Sequence, residues 1–151
     1  MRRGVRFAVD VGKARIGVAR SDPDGLLAVP VETVKRDLEG DTHVRRLAEL
    51  VEEYSVMEVI VGHPLNLRGE STPSTEDAIG VARAVAAAIP APVRLLDERL
   101  TTVSAAKQFR ASGKQASRSR DRIDQAAAVV LLQDALDRER ASGMPPGIEL
   151  D

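Results

Sequence analysis

A chain of 151 residues is the length of one domain, and 43% hydrophobic with 30% charged residues is an ordinary globular composition. No apolar run approaches a membrane span, the N-terminus lacks the apolar stretch of a secretory signal, and the absence of cysteine removes disulfides and thiolate metal sites, so a cytoplasmic location is expected. A formal net charge of -1 excludes wholesale electrostatic binding of nucleic acid; affinity for phosphate backbones would have to come from local basic patches or bound cations.

Val5, Phe7, Val9 and Val11 alternate and predict a strand over Val5 to Gly12, with Arg15 to Arg20 as its hairpin partner. After the turn Ser21-Asp22-Pro23-Asp24-Gly25, Leu26 to Glu32 predicts a third strand and an antiparallel meander. Val44, Leu47, Ala48 and Val51 mark a helix over Thr42 to Tyr54, and Val56 to Gly62 reads as a buried strand. Beyond the loop His63 to Ser71, Thr72 suits an N-cap with Pro73 at the first helical position. Ala78, Ala82, Val85, Ala86 and Ile89 give that helix its stripe. Val93 to Leu96 is a short strand. Helices are predicted from about Thr101 to Gly113 and from about Asp121 to Arg138.

The expected fold class is α/β: a five-stranded mixed sheet, three strands in an antiparallel meander and two parallel, flanked by helices. With no repeat or linker, residues 1–140 form a single expected domain. Residues 141–151, rich in glycine and proline, form an expected flexible tail.

Three places carry acids where apolar residues belong. Asp10 shares its strand face with Ala8, and Gly17 and Ala19 are the small residues available on the partner strand. A buried carboxylate needs a compensating charge, which a metal ion or a salt bridge to Lys13 or Arg15 would supply. Asp97 and Glu98 close the last strand, where ligands collect in open α/β sheets, and alternation lets either one face a site. Asp124 heads the apolar stripe Ala127, Ala128, Leu131 and Ala135. Taken singly, Asp97 could pair with Arg99 on the surface and Asp124 could serve the helix dipole. Together they would bring acids from distant elements to one end of the central strand. Carboxylates without cysteine suit Mg²⁺ or Mn²⁺, two of which can clamp a scissile phosphate.

Asp10-Val-Gly-Lys-Ala-Arg-Ile-Gly-Val-Ala19, Val61-Gly62-His63-Pro64-Leu65-Asn66, Asp97-Glu98-Arg99-Leu100-Thr101-Thr102 and Ile123-Asp124-Gln125-Ala126-Ala127-Ala128 resemble, in order, four motif blocks of the YqgF/RuvX family. The resemblance covers almost everything from Val5 to about Leu136. It implies a ribonuclease H-like fold and a metal-dependent nuclease, a phosphodiester hydrolase of the two-metal-ion type, leaving 5′-phosphate and 3′-hydroxyl ends. It implies a role in maturing the 5′ end of pre-16S ribosomal RNA, with resolvase-like cleavage of DNA junctions as the alternative. Carried over by position, the catalytic and metal-binding acids are Asp10, Glu98 and Asp124; the resemblance, rather than alternation, chooses Glu98 over Asp97. His63 departs from the family, which usually has an apolar residue there. It is expected to be a local exposed substitution, although its strand should neighbour that of Asp10.

The expected substrate-binding residues are Lys13, Arg15, Asn66, Arg99, Thr101, Thr102, Arg118, Arg120 and Arg122. Lys107, Arg110, Lys114 and the three last arginines form a basic stretch leading into Asp124, opposed only by Asp121, and suited to flanking phosphates or simply to solvent. With Phe7, Tyr54 and Phe109 as the whole aromatic complement, no base-stacking platform is expected, and recognition should be by backbone and shape. The expected partners are structured RNA, branched DNA and a ribosomal precursor particle, with no membrane, for a monomer or homodimer. A non-catalytic assembly or transcription-associated factor is the rival from another class. An actin-like kinase would need two such domains, which 151 residues cannot supply.

Overall fold

The first 35 residues form the meander that their alternation predicts. In this computed structural model, which describes residues 1–98 and 117–150 apart from the side chains of 117–122, β1 (Arg6–Val11) and β2 (Arg15–Ser21) pair antiparallel, with Ala8 opposite Ala19 and Asp10 opposite Gly17. The following turn is built on Asp22. Its Oδ1 accepts from the amides of Leu26 and Leu27 at 2.8 and 2.9 Å, and its Oδ2 from that of Asp24 at 3.2 Å. These bonds, that from Leu27 foremost, hold the Asp22 carboxyl below its ordinary range. Because the turn takes the amides of Leu26 and Leu27, β3 begins later than expected, at Ala28, and runs to Lys35.

The chain then gives α1 (Thr42–Glu53), β4 (Glu58–His63), α2 (Pro73–Ala88), β5 (Val93–Asp97), α3 (Ser117–Ser142) and β6 (Ile148–Glu149). Thr72 caps α2 as its sequence predicts: its hydroxyl accepts from the Thr75 amide while Thr75 Oγ1 accepts from the Thr72 amide. The helix expected over Thr101 to Gly113 lies outside the described residues. The sheet order is β3-β2-β1-β4-β5-β6, with β4 parallel to both β1 and β5.

Among the described residues, six strands therefore stand in the sheet where five were expected. The extra strand comes from the tail: β6 pairs antiparallel with β5, Arg94 donates to the carbonyls of Pro146 and Gly147, and the Leu150 amide donates to Val93. Periodicity cannot register a two-residue strand, and its glycine- and proline-rich approach masks it further.

The two faces of the sheet bury different side chains. Phe7, Val9, Ile16 and Val18 pack with Leu47 and Leu50 of α1 and Val81 and Val85 of α2. On the other face Ala8, Ala19, Ala28 and Ile60 meet Ala127, Ala128, Leu131, Leu132, Ala135 and Leu136 of α3. Alanines on strands and helix alike let α3 ride close to the sheet.

The far end of α3 is fastened by charge. Arg6, Glu58 and Glu139 are all buried, and Arg2 closes over them. Arg6 donates to Glu139 at 3.0 Å, and Arg2 bonds Glu58 at 3.0 Å and also pairs with Glu139. Burial pushes the Glu139 carboxyl up, but Arg2 and Arg6 together outweigh it and hold the group below its ordinary value. A depressed acid stabilises the fold above its unfolded pKa, near 4.5, and the stabilisation disappears as pH falls through the folded value. Glu139→Gln should therefore cost about 3–5 kcal/mol at neutral pH, leaving buried Arg6 poorly compensated. In urea melts across pH, its deficit against wild type should shrink below about pH 4.5. A deficit that does not change with pH would contradict the ion-pair account.

Candidate active site

Asp10 lies next to the end of β1, on the face that α3 covers, and is 1% exposed. Its neighbour across β2 is Gly17. On the other side, the register Val9 to Val61 sets Gly62 of β4 alongside it. Each of these glycines lies beneath an acid-bearing segment. A Cβ at Gly62 would fall on the Glu98 carboxylate. A Cβ at Gly17 would fall on the backbone carbonyl of Asp124. Glycine within a strand marks such close approach, and here it lets β5 and α3 deliver Glu98 and Asp124 to either side of Asp10.

Glu98 and Asp124 are buried as well, at 5% and 2% exposure. The register of β4 with β5 separates the two acids that end β5. Asp97 stands beside His63, and Leu96 beside Gly62, so Glu98 continues on the Gly62 face and Asp97 on the opposite one. His63 is partly exposed on the face away from Asp10.

Asp124 accepts a 2.8 Å bond from Arg15 Nε, joining α3 to the start of β2. Lys13 is exposed at the hairpin tip. Asn66 organises its own loop: its Oδ1 accepts from the amides of Arg68 and Glu70, each at 2.9 Å, and its Nδ2 donates to Glu70. Arg99, Thr101, Thr102, Lys107, Arg110 and Lys114 lie outside the described residues. Arg118, Arg120 and Arg122 fall in the first turns of α3, with their side chains outside the description.

Arg36 escaped sequence reasoning because it follows a strand in a polar stretch and has no periodic signal. It donates to the Gly12 carbonyl at 3.0 Å and grips both oxygens of Asp77 on α2, at 2.9 and 3.0 Å. That grip holds the Asp77 carboxyl below its ordinary range. Arg36 thus braces the turn just beyond Asp10 against α2. A concavity of about 1290 Å³ lies along β3 and α1, and none of the three acids lines it. A long phosphate backbone, which reaches a surface, needs no such deep pocket.

The acids on the segments over Gly62 and Gly17 offer carboxylate oxygens, the ligand type of hard divalent cations of the Mg²⁺ or Mn²⁺ kind. Among the described residues, no three acid or imidazole groups are gathered tightly enough to hold one ion, and Asp124 is turned toward Arg15. Asp10, Glu98 and Asp124 thus stand at one end of the sheet, with Asp124 held by Arg15.

The two glycines should respond differently to alanine. Gly17→Ala presses on backbone and should cost about 1–3 kcal/mol in thermal or urea melts. Gly62→Ala meets the far end of a flexible side chain, so stability should hold while the Glu98 carboxylate is pushed aside, weakening Mn²⁺ binding. Equal losses of stability in both variants would contradict this geometry.

Residues 4–138 match the family model RuvX, described as Holliday junction resolvase. A protein named "Putative pre-16S rRNA nuclease" from Clavibacter michiganensis subsp. michiganensis is 57% identical over 147 residues, covering 97% of this chain and 91% of that protein. One of the same name from Mycobacterium sp. (strain KMS) is 54% identical over 146 residues, covering 96% and 86%. Thermus thermophilus RuvC, solved in complex with Holliday junction substrate, aligns with a TM-score of 0.59 at 19% identity, covering 97% of this chain and 99% of that one. At that identity the likeness concerns the fold, which is the ribonuclease H-like α/β arrangement. By the match over 4–138 and the identity to its relatives, this chain belongs to the RuvX family.

Proposed function

We propose that this protein is a divalent-cation-dependent nuclease of the two-ion type that processes the 5′ end of pre-16S ribosomal RNA, acting in the cytoplasm on ribosomal precursor particles. The observation that carries this reading is the placement of Asp10 between Gly17 and Gly62, with the segments bearing Asp124 and Glu98 lying over those glycines. The RNA substrate is suggested by the names of the relatives that match nearly the whole chain.

Asp10, Glu98 and Asp124 would hold the cations. When bound, these supply Lewis acidity toward the scissile phosphate and lower the pKa of the attacking water. The protein's own part is placement. β1 holds Asp10 in a rigid sheet, Arg36 braces the turn beyond it, and the cover of α3 keeps bulk water from the carboxylates. Lys13 and Arg15 stand at the same end of the sheet, where cationic groups suit the flanking phosphates. Arg99, Thr101, Thr102, Arg118, Arg120 and Arg122 would extend that track, and Asn66 would serve it by shaping its loop.

The test is cleavage by purified protein of ribosomal-precursor RNA and of four-way DNA junctions, with Mg²⁺ and with Mn²⁺. RNA should be cut at the 5′ flank in either metal. Replacing an outer-shell partner of a metal ligand typically costs about 10–100-fold, so Asp10→Asn should lower turnover by more than about a hundredfold. Its melting temperature should hold or rise, because a buried charge is removed. Near-wild-type turnover in Asp10→Asn would overturn the proposal. Cleavage of junctions but not of RNA would move the substrate to branched DNA.

A further inference from the structure

Arg15 and Asp124 meet where both backbones are fixed. Arg15 opens β2, and its carbonyl accepts from the Gly12 amide at 2.9 Å, closing the hairpin. Two residues on, Gly17 shares its strand face and sits under the Asp124 carbonyl. The two side chains bridge hairpin and helix with a 2.8 Å bond from Nε to Oδ2, the Asp124 side chain 3% exposed and that of Arg15 29%. A guanidinium so placed offsets part of the cost of burying a carboxylate.

We infer that Arg15 is the resident counter-ion of Asp124 and releases it when the site takes up a divalent cation, so that cation loading hands a free guanidinium to the phosphate of the substrate. The inference rests on the reading of Asp10, Glu98 and Asp124 as a cation site. Its physical basis is exclusion: a guanidinium and a dication competing for one carboxylate repel each other, and in a dry site that repulsion is several-fold stronger than in water. Arg15 is the more exposed partner, its side chain 29% exposed against 3% for Asp124, so it is the one that can turn toward solvent. Released, its planar fork matches a phosphate as well as it matched the carboxylate. Cation binding and nucleic-acid binding are thereby coupled through one side chain.

The test uses Mn²⁺ alone, titrated into metal-free wild type, Arg15→Gln and Asp10→Asn and followed by electron paramagnetic resonance, with melting curves of each protein. Arg15→Gln should melt lower than wild type yet bind Mn²⁺ at least about tenfold more tightly, because the competing charge is gone. A salt bridge with a purely structural role would lower stability and leave Mn²⁺ affinity unchanged or weaker, which would overturn the inference. If Arg15→Gln does not fold, Arg15→Met keeps an apolar stem without the charge and should likewise bind Mn²⁺ at least about tenfold more tightly than wild type; equal affinity would count against the exchange. A second measurement follows binding of a labelled ribosomal-precursor RNA with and without Ca²⁺. Ca²⁺ should tighten RNA binding in wild type, and much of that gain should vanish in Arg15→Gln; an undiminished gain would overturn the coupling. Failure of the underlying reading looks different: no Mn²⁺ binding to any variant, or binding that survives Asp10→Asn, would remove the cation site and the exchange with it.

Discussion

Everything at the candidate site depends on how closely α3 and the end of β5 approach the central strands. Gly17 and Gly62 flank Asp10; a methyl group at Gly17 would meet backbone, and one at Gly62 would displace the Glu98 carboxylate. Ala8, Ala19 and Ala28 extend the low surface along the sheet, and Ala127, Ala128 and Ala135 answer it from the helix. A larger residue on this face would lift α3 and carry Asp124 away from the sheet. Packing and chemistry are therefore one constraint, since the small side chains that make a dense core also bring three acids to one end of β1.

The two ends of α3 are secured by different means. At the chemical end, Asp124 reaches Arg15 beside the acids. At the other end, Arg2, Arg6, Glu58 and Glu139 form a closed, internally balanced network. Breaking a buried ion pair on one side costs more than the pair is worth, so such a network specifies register more than it adds stability. With the far end of the helix fixed, Arg15 is the more exposed member of the pair at the near end. Arg36, bridging Gly12 and Asp77, gives similar rigidity to the turn after Asp10.

Much of this was legible in the residues. Alternation in β1 and β2 placed Asp10 on the Ala8 face, and the Thr72-Pro73 start of α2 followed from capping alone. The choice between Asp97 and Glu98 was not legible from alternation, because it depends on how β4 and β5 align. The register that sets His63 beside Asp97 puts Glu98 on the Gly62 face. The buried Arg6 network and the Arg36 brace were invisible for a related reason: charged residues near strand ends read as solvated until their partners, far away in sequence, are known. The sixth strand was hidden by its two-residue length. The glycines carried a signal that could have been used further, since a glycine inside a strand implies that something sits on it.

The reading of Asp10 and Glu98, with Asp124, as a divalent-cation site at the end of β1 stands or falls on where the metal sits. The most direct test is a crystal of the protein soaked in Mn²⁺ and measured for anomalous scattering. The account predicts a peak between the carboxylates of Asp10 and Glu98, at roughly the 2.0–2.2 Å oxygen distances usual for small divalent cations, which disappears in Asp10→Asn. Fully occupied Mn²⁺ elsewhere on the protein, with no peak beside Asp10, would contradict it.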